Sequence, residues 1–464
     1  MASKSKRARM APVQDFSRRF LYWAIAVVII KLGIIFRIEG VNAGSGDRVY
    51  FVDGAWLGAD GENYLMGYNA LLKDGIFSPE SILNYWPAGY PLLILFLSIL
   101  GKSWVLTTLS ILQSLVFSYA VYFFALQISR TRLKKFSYLV LLLILLNPTL
   151  SLSSIVIGYE SITASGILIA CGLMVKDVIE KKEREFVKYL LSISLVFSFL
   201  SFVQPRLIVT GGLAIILWVY LRKGFKLGIR YVIVGLLVIS LLPVTLVLRN
   251  QQALGLTSVS TNLGVTMNLG AGDGATGGYV GSTSKAGVEC KTSGTSVEQD
   301  NQRVRCVLNW YLNNPVKAGE LFFNKTLYFW SPWDGPLANG TMARNPWLTT
   351  SPIRDIAQNS IEGNKLVNQG FGKFVSWLWL ISGLVLLIYG FFVLWKIGSL
   401  ERFLALLAML IVGSNLVISI MTIGDHRFRI PIMGISLFLQ VVGIKTLFSG
   451  GKPMLVEVST QRSR

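Results

Sequence analysis

The chain is short of charge, of histidine and of cysteine, and each shortage closes off a class of protein. Only 15% of its 464 residues are Asp, Glu, Lys or Arg, against about 25% in a soluble globular domain. A single histidine, His426, excludes a multi-histidine zinc centre and leaves only carboxylate-rich sites for a metal. The three cysteines have no metal-ligand spacing. Cys171 sits in an apolar run, where packing is its simplest role. Cys290 and Cys306 share the one long polar segment, and a disulfide is their natural reading if that segment faces an oxidising space. Strict alternation of apolar and polar residues is also missing, which excludes a membrane β-barrel.

What the chain has instead is apolar length. Mean hydropathy is +0.56, and long apolar runs occupy residues 20–36, 104–128, 136–150, 231–248, 377–395, 403–421 and 430–448. Several reach the roughly 20 residues a helix needs to cross about 30 Å of hydrocarbon. The fold expected is an all-α polytopic integral membrane protein.

The net charge of +20 does not point to nucleic acid. Its lysines and arginines fall in short clusters between the apolar runs, where the positive-inside bias puts them. Residues 1–19 are basic and carry no small-residue cleavage site, so they read as a cytoplasmic tail before an uncleaved first span. With that tail inside, the clusters at Arg130–Lys135, Lys176–Lys188, Arg222–Arg230 and Lys396–Arg402 also lie inside, provided the short apolar piece Leu92–Leu100 does not cross. It is read as re-entrant or interfacial, giving about ten crossings. Lys31 is a charge inside the first run that this scheme does not explain.

The same scheme gathers the unusual polar motifs on the outer face. These are the loop 38–91, the turn before Glu160, Gln204-Pro205-Arg206, the segment 249–373, and Asp425-His426-Arg427-Phe428-Arg429. The remaining divisions are a transmembrane module over 20–248, C-terminal helices over 374–448 and an inner tail over 449–464. Within the outer segment, Asn301–Trp330 has helical spacing, and Gly270–Gly278 reads as a loop over the site without a P-loop ending.

Acids at a membrane surface are functional candidates by default. In the first loop these are Asp53, Asp60 and Glu62; Asp60 heads a short helix, where capping alone would also suit it. Glu160 has two roles open: orienting a substrate, or capping the next helix. Arg249 could simply snorkel at the end of its span, although Asn250 and a glycine-rich run follow it. Arg427 and Arg429 run against the positive-inside bias, so an outward anion such as a lipid phosphate is the partner expected. His426 beside them could contact phosphate or only pack at the interface.

Asp60 with Tyr64, Asn69-Ala-Leu-Leu72 and Gly75, then Trp86-Pro-Ala-Gly-Tyr-Pro91, resembles the first outer loop of bacterial GT-C glycosyltransferases. The likeness is to the protein mannosyltransferase and aminoarabinose transferase group. It recurs in order at Asn147-Pro148 with Tyr159-Glu160-Ser161, at Gln204-Pro205-Arg206 (Gln standing for the group's first Arg), and at Arg249-Asn250 with Ser260-Thr261-Asn262. It continues through Asn268-Leu269-Gly270 and Ala275-Thr-Gly-Gly-Tyr279 to Arg427-Phe-Arg429-Ile-Pro431. The resemblance implies a bundle of about 10–13 transmembrane helices, each near the ~20-residue crossing length, in the bacterial cytoplasmic membrane. It implies transfer of a sugar from a polyprenyl-phosphate donor to a hydroxyl on protein, glycolipid or polysaccharide at the outer face. Asp60 would be the catalytic base. Glu62, Tyr64, Glu160, Arg206, Arg249, Asn250, His426, Arg427 and Arg429 would be the substrate-binding residues. Asp60 and Glu160 are the carboxylates that could share a divalent Mg²⁺ or Ca²⁺. The competing readings are a membrane polysaccharide polymerase or ligase, and a transporter or flippase for lipid-linked sugars, which would be expected to show an internal repeat.

Overall fold

A computed structural model of the chain describes residues 13–37, 51–52, 55–57, 61–278, 287–330 and 370–449. Asp53 and Asp60 lie outside the described residues, as do most of 38–60, the segment 331–369 and the tail after 449. The described chain is a helical bundle. Its first half contains α1 (Val13–Arg37), α2 (Gly61–Asp74), α3 (Ile82–Tyr85), α4 (Gly89–Leu97), α5 (Val105–Ser129), α6 (Lys134–Leu145), α7 (Pro148–Leu152), α8 (Glu160–Glu180), α9 (Phe186–Val203) and α10 (Leu207–Leu254). Then follow α11 (Leu263–Leu269), α12 (Ser296–Asn313), α13 (Pro315–Trp330), α14 (Gly370–Ile397), α15 (Ser399–Met421) and α16 (Ile430–Phe448). Three very short strands, β1 (Phe51–Val52), β2 (Ala55–Leu57) and β3 (Val156–Ile157), pair β1–β2 antiparallel and β2–β3 parallel. This pairing ties the first loop to the chain just before Glu160.

Among the described residues eight helices are long and apolar enough to cross a membrane, or nine if the bent pair Lys134–Leu145 and Thr149–Ile155 is one span. Helix α10, counted once among these, is 48 residues long and holds two legs. At about 1.5 Å per residue it would far exceed a bilayer if straight. Gly224 breaks it instead, at φ 70° and ψ 177°, a conformation open to glycine and strained for other residues. The two legs fold back on each other: Gly211 packs beneath Ile239, and Gly235 beneath Ile215. Counting both legs gives nine or ten crossings among the described residues. The bundle is held by one continuous apolar core running from Phe20 and Phe117 through Phe197 and Trp218 to Phe438.

Gly89–Leu100 is an apolar helix shorter than the candidate spans. It lies along the first turns of α5, where Leu97, Val105 and Leu109 share a cluster and Tyr90 Oη donates to Gln113 Oε1 over 3.2 Å. Lys31 is buried in the bundle, its ammonium 4.3 Å from the Phe117 ring centroid.

The two ends of the bundle differ in kind. At one end, Arg222 pairs with Asp177 over 2.6 Å, Arg130 pairs with Glu180 over 3.1 Å, and Lys223 pairs with Glu183. There too Arg132 donates to the Ile397 carbonyl over 3.4 Å, and Lys445 to that of Lys135. The described basic loops between the helices therefore meet at one end. Because α8 runs from Glu160 to Glu180, Glu160 belongs to the opposite end.

Candidate functional site

Glu160 opens α8 directly after β3 and Gly158, and its Oε1 is paired with Nε of Arg427. Both side chains are less than a tenth exposed. Arg427 stands in a short 3-10 turn, His426–Arg429, that links α15 to α16. Asp425 caps that turn, its carboxylate accepting from the Arg427 N–H over 2.9 Å. An arginine whose backbone and guanidinium are both tied to carboxylates is held in one orientation.

Arg206 arrives from the other side, at the first turn of α10. Its guanidinium lies 4.2 Å from the Phe428 ring and 5.7 Å from the Tyr159 ring. Arg427 meets the same Tyr159 ring at 5.4 Å. Two cations thus share one aromatic ring, an arrangement Arg suits because its planar ion stacks and is weakly hydrated. Nε and Nη2 of Arg206 are buried and have no hydrogen-bond partner among the described residues. Buried donors left unmade cost on the order of 1–3 kcal/mol each, so in a native fold they call for a ligand or water. Arg429 closes the group, donating to the Trp330 carbonyl over 2.7 Å with the indole 5.7 Å away.

An aromatic wall carries the first loop to this cluster. Tyr64, one turn into α2, lies 6.4 Å from Tyr159, 4.9 Å from Tyr90 and 6.2 Å from Trp86. Tyr90 is pinned in turn, its hydroxyl accepting from the Gly158 N–H over 2.9 Å. Of the residues singled out in the sequence, Tyr64, Glu160, Arg206, Arg427 and Arg429 are brought together. Glu62 is exposed in the first turn of α2. His426 lies in the chain of the same turn as the arginines.

Arg249 and Asn250 are spent elsewhere. Arg249 donates to the carbonyls of Ile76 (3.0 Å) and Ser78 and to Asn250 Oδ1 (2.8 Å). Asn250 donates to the Ser258 carbonyl over 2.7 Å and to Asn84 Oδ1 over 3.3 Å. Both brace the loop after α2 against the segment that follows α10, so their hydrogen bonds hold protein backbone and side chains rather than presenting donors beside Arg427. A snorkelling arginine in a sequence and an arginine capturing carbonyls look alike until the loop is in place.

Lys325, which the sequence does not single out, lies beside the chain that leads into the arginine turn. It is fully buried on α13, donating to Tyr311 Oη over 2.8 Å and to the Ile420 carbonyl over 3.0 Å. Burial pushes its ammonium down to about 7 from the usual lysine range. Around it the glycine-rich loop, α13 and the turn after α15 are pressed together. A side chain at Gly270 would strike the Thr422 carbonyl and approach the Lys325 ammonium, and the Gly424 N–H donates to the Gly277 carbonyl over 2.8 Å. The signal was its spacing: Ala318, Leu321, Lys325 and Phe329 form the buried stripe of an amphipathic helix.

Among the described residues no group of three His, Cys, Asp or Glu side chains could hold a metal ion. Glu160 itself is engaged by a guanidinium, which makes it a poor cation ligand. No protein-family model, curated protein or solved structure matches this chain.

Proposed function

We propose that the protein is a GT-C-type membrane glycosyltransferase that moves a sugar from a polyprenyl-phosphate donor to a hydroxyl acceptor, with inversion. The observation that carries this reading is Arg206: a half-buried guanidinium with two donors unmade among the described residues, sharing the Tyr159 ring with Arg427 at the end of the bundle away from the basic loops. A donor embedded in lipid would present its phosphate at such an end, and planar guanidinium groups match phosphate oxygens. The ordered resemblance of residues 60–431 to that enzyme group supports the same reading.

The chemistry assigned is a single displacement. The acceptor oxygen attacks the anomeric carbon while Asp60 takes its proton. The bond from that carbon to the phosphate oxygen breaks, and the lipid phosphate leaves with the electron pair. Arg206 and Arg427 stabilise the charge that develops on it. Glu160 orients Arg427 through their ion pair, and no step runs through a metal.

The test is incubation of the purified protein with labelled lipid-phosphate sugars and native membranes, followed by identification of the labelled product. Asp60→Asn is expected to lower transfer by about 10²–10⁴-fold, the usual worth of a general base, with donor binding retained. Undiminished transfer in that variant removes Asp60 from the mechanism. Absence of transfer from every donor offered overturns the enzyme reading.

A further inference from the structure

A second site lies apart from the arginine cluster. A cleft of about 790 Å³ opens between the exposed face of α2, the turn carrying α3, and the start of the outer segment. Its volume falls within the roughly 300–1,000 Å³ of ligand pockets. Met66, Asn69 and Lys73 line it from α2, and Glu80 and Tyr85 line it from the facing turn.

Three features limit what can occupy it. First, on the α10 side the cleft wall begins past that helix's exposed apolar face. Leu241, Val244 and Leu248 of α10 are exposed large hydrophobics, but Gln251 and Gln252 follow them exposed, and the cleft wall begins only at Leu254. A water-soluble ligand fits that level better than an acyl chain. Second, its polar groups are mixed in kind. Lys73 offers donors, Glu80 offers acceptors and Asn69 offers both, over carbon surface from Met66 and Tyr85. Polyhydroxylated rings need this combination, with hydroxyls at the edge and C–H faces against an aromatic or aliphatic surface. The walls are helices and turns, without a strand edge for a peptide to extend.

Third, the walls are fixed in advance. Asn84 at the back of the cleft donates to Thr261 Oγ1 over 3.2 Å and to Ser296 Oγ over 3.4 Å. Its Oδ1 accepts from Ser258 Oγ over 3.1 Å. The Arg249 bonds to the Ile76 and Ser78 carbonyls hold the facing loop. Preorganised walls lower the cost of binding. A continuous aromatic path then joins cleft to cluster: Tyr85 to Trp86 at 5.6 Å, Trp86 to Tyr64 at 6.2 Å, and Tyr64 to Tyr159 at 6.4 Å.

We infer that this cleft is a carbohydrate-binding site that holds a glycan chain on the acceptor side of the arginine cluster. Its role as acceptor site rests on the glycosyltransferase reading; its affinity for carbohydrate does not. Titration calorimetry of the full chain in detergent, without lipid donor, tests it with linear tetrasaccharides of neutral, N-acetylated and uronic-acid composition. Saturable binding of at least one is expected, weakened at least tenfold by Tyr85→Ala and by the doubly exposed change Asn69→Ala with Lys73→Ala. Tyr85→Phe should retain binding, since the ring face is kept. Failure of every tetrasaccharide to bind overturns the site. So does binding that both Tyr85→Ala and the double variant leave unchanged. Binding without any sugar transfer counts against the glycosyltransferase reading alone, whereas transfer without binding counts against the cleft alone.

Discussion

Arg206 can be separated from its own charge. Lysine at this position keeps one positive charge but loses the planar fork and the stack on Phe428 and Tyr159. Arg206→Lys is therefore expected to behave nearly as badly as Arg206→Ala, with transfer reduced about 10²–10³-fold, as for loss of a preorganised donor. Steady-state kinetics with labelled donor check this: a fall in kcat assigns the guanidinium to the transition state, and a rise in KM alone assigns it to ground-state binding. Lys325 carries a pH signature. Its folded-state value is depressed to about 7 from 10.5, so between those values the unfolded chain binds a proton that the folded chain does not. Stability must then rise as pH increases from about 7 towards 10.5, and the cost of the buried cation is present in full below 7. Burial pushes the Tyr311 hydroxyl up, so it stays protonated across most of that window. Thermal unfolding in detergent at pH 6.5 and pH 9 should show the rise, and Lys325→Met should flatten it. Neither behaviour was legible in the sequence. Arg206 read as one half of a Pro-Arg turn, and the unmade donors exist only because Tyr159 and Phe428 arrive from distant parts of the chain.

Among elements, the long segment between α10 and α14 shows where local pattern sufficed and where it did not. Helical spacing over Asn301–Trp330 was readable, but the structure has two helices broken at Asn314-Pro315, since proline favours a first helical turn and ends the one before it. Thr295 and Glu298 form a capping box at the start of α12, which fixes its boundary locally. Cys290 and Cys306 are joined with a separation of 16 residues. Closing a loop of that length is worth about 3 kcal/mol in the chain-entropy account. Cys290→Ser with Cys306→Ser is expected to loosen the segment 287–330 while leaving the bundle folded. Limited proteolysis would detect this as faster cutting within that segment and an intact membrane core. The α10 hairpin is a contrary case. Its basic turn Arg222-Lys223-Gly224 was visible as a cytoplasmic cluster, yet that Gly224 is the reversal point follows only from its positive φ and from the contacts of the two legs.

For the whole molecule, the separation of basic loops from polar motifs makes a topological claim. An impermeant maleimide applied to intact cells should label Ser293→Cys, in the outer segment, and spare Lys226→Cys, in the α10 turn. The reverse pattern would turn the protein over and put the arginine cluster on the side of the basic loops' compartment. Composition and periodicity by themselves determined that the chain is an all-α multi-pass membrane protein, because apolar length and scarce charge leave a chain no other solvent. They also determined which loops are basic and that Leu92–Leu100 is too short for an ordinary span. Only the tertiary structure decided that Glu160 is the partner of Arg427, that Arg249 and Asn250 are braces, and that Lys325 lies under the glycine-rich loop. The reason is physical. Burial in a membrane is a property of a run of residues and is written along the chain, whereas an ion pair joins residues 267 positions apart and exists only once the helices have packed.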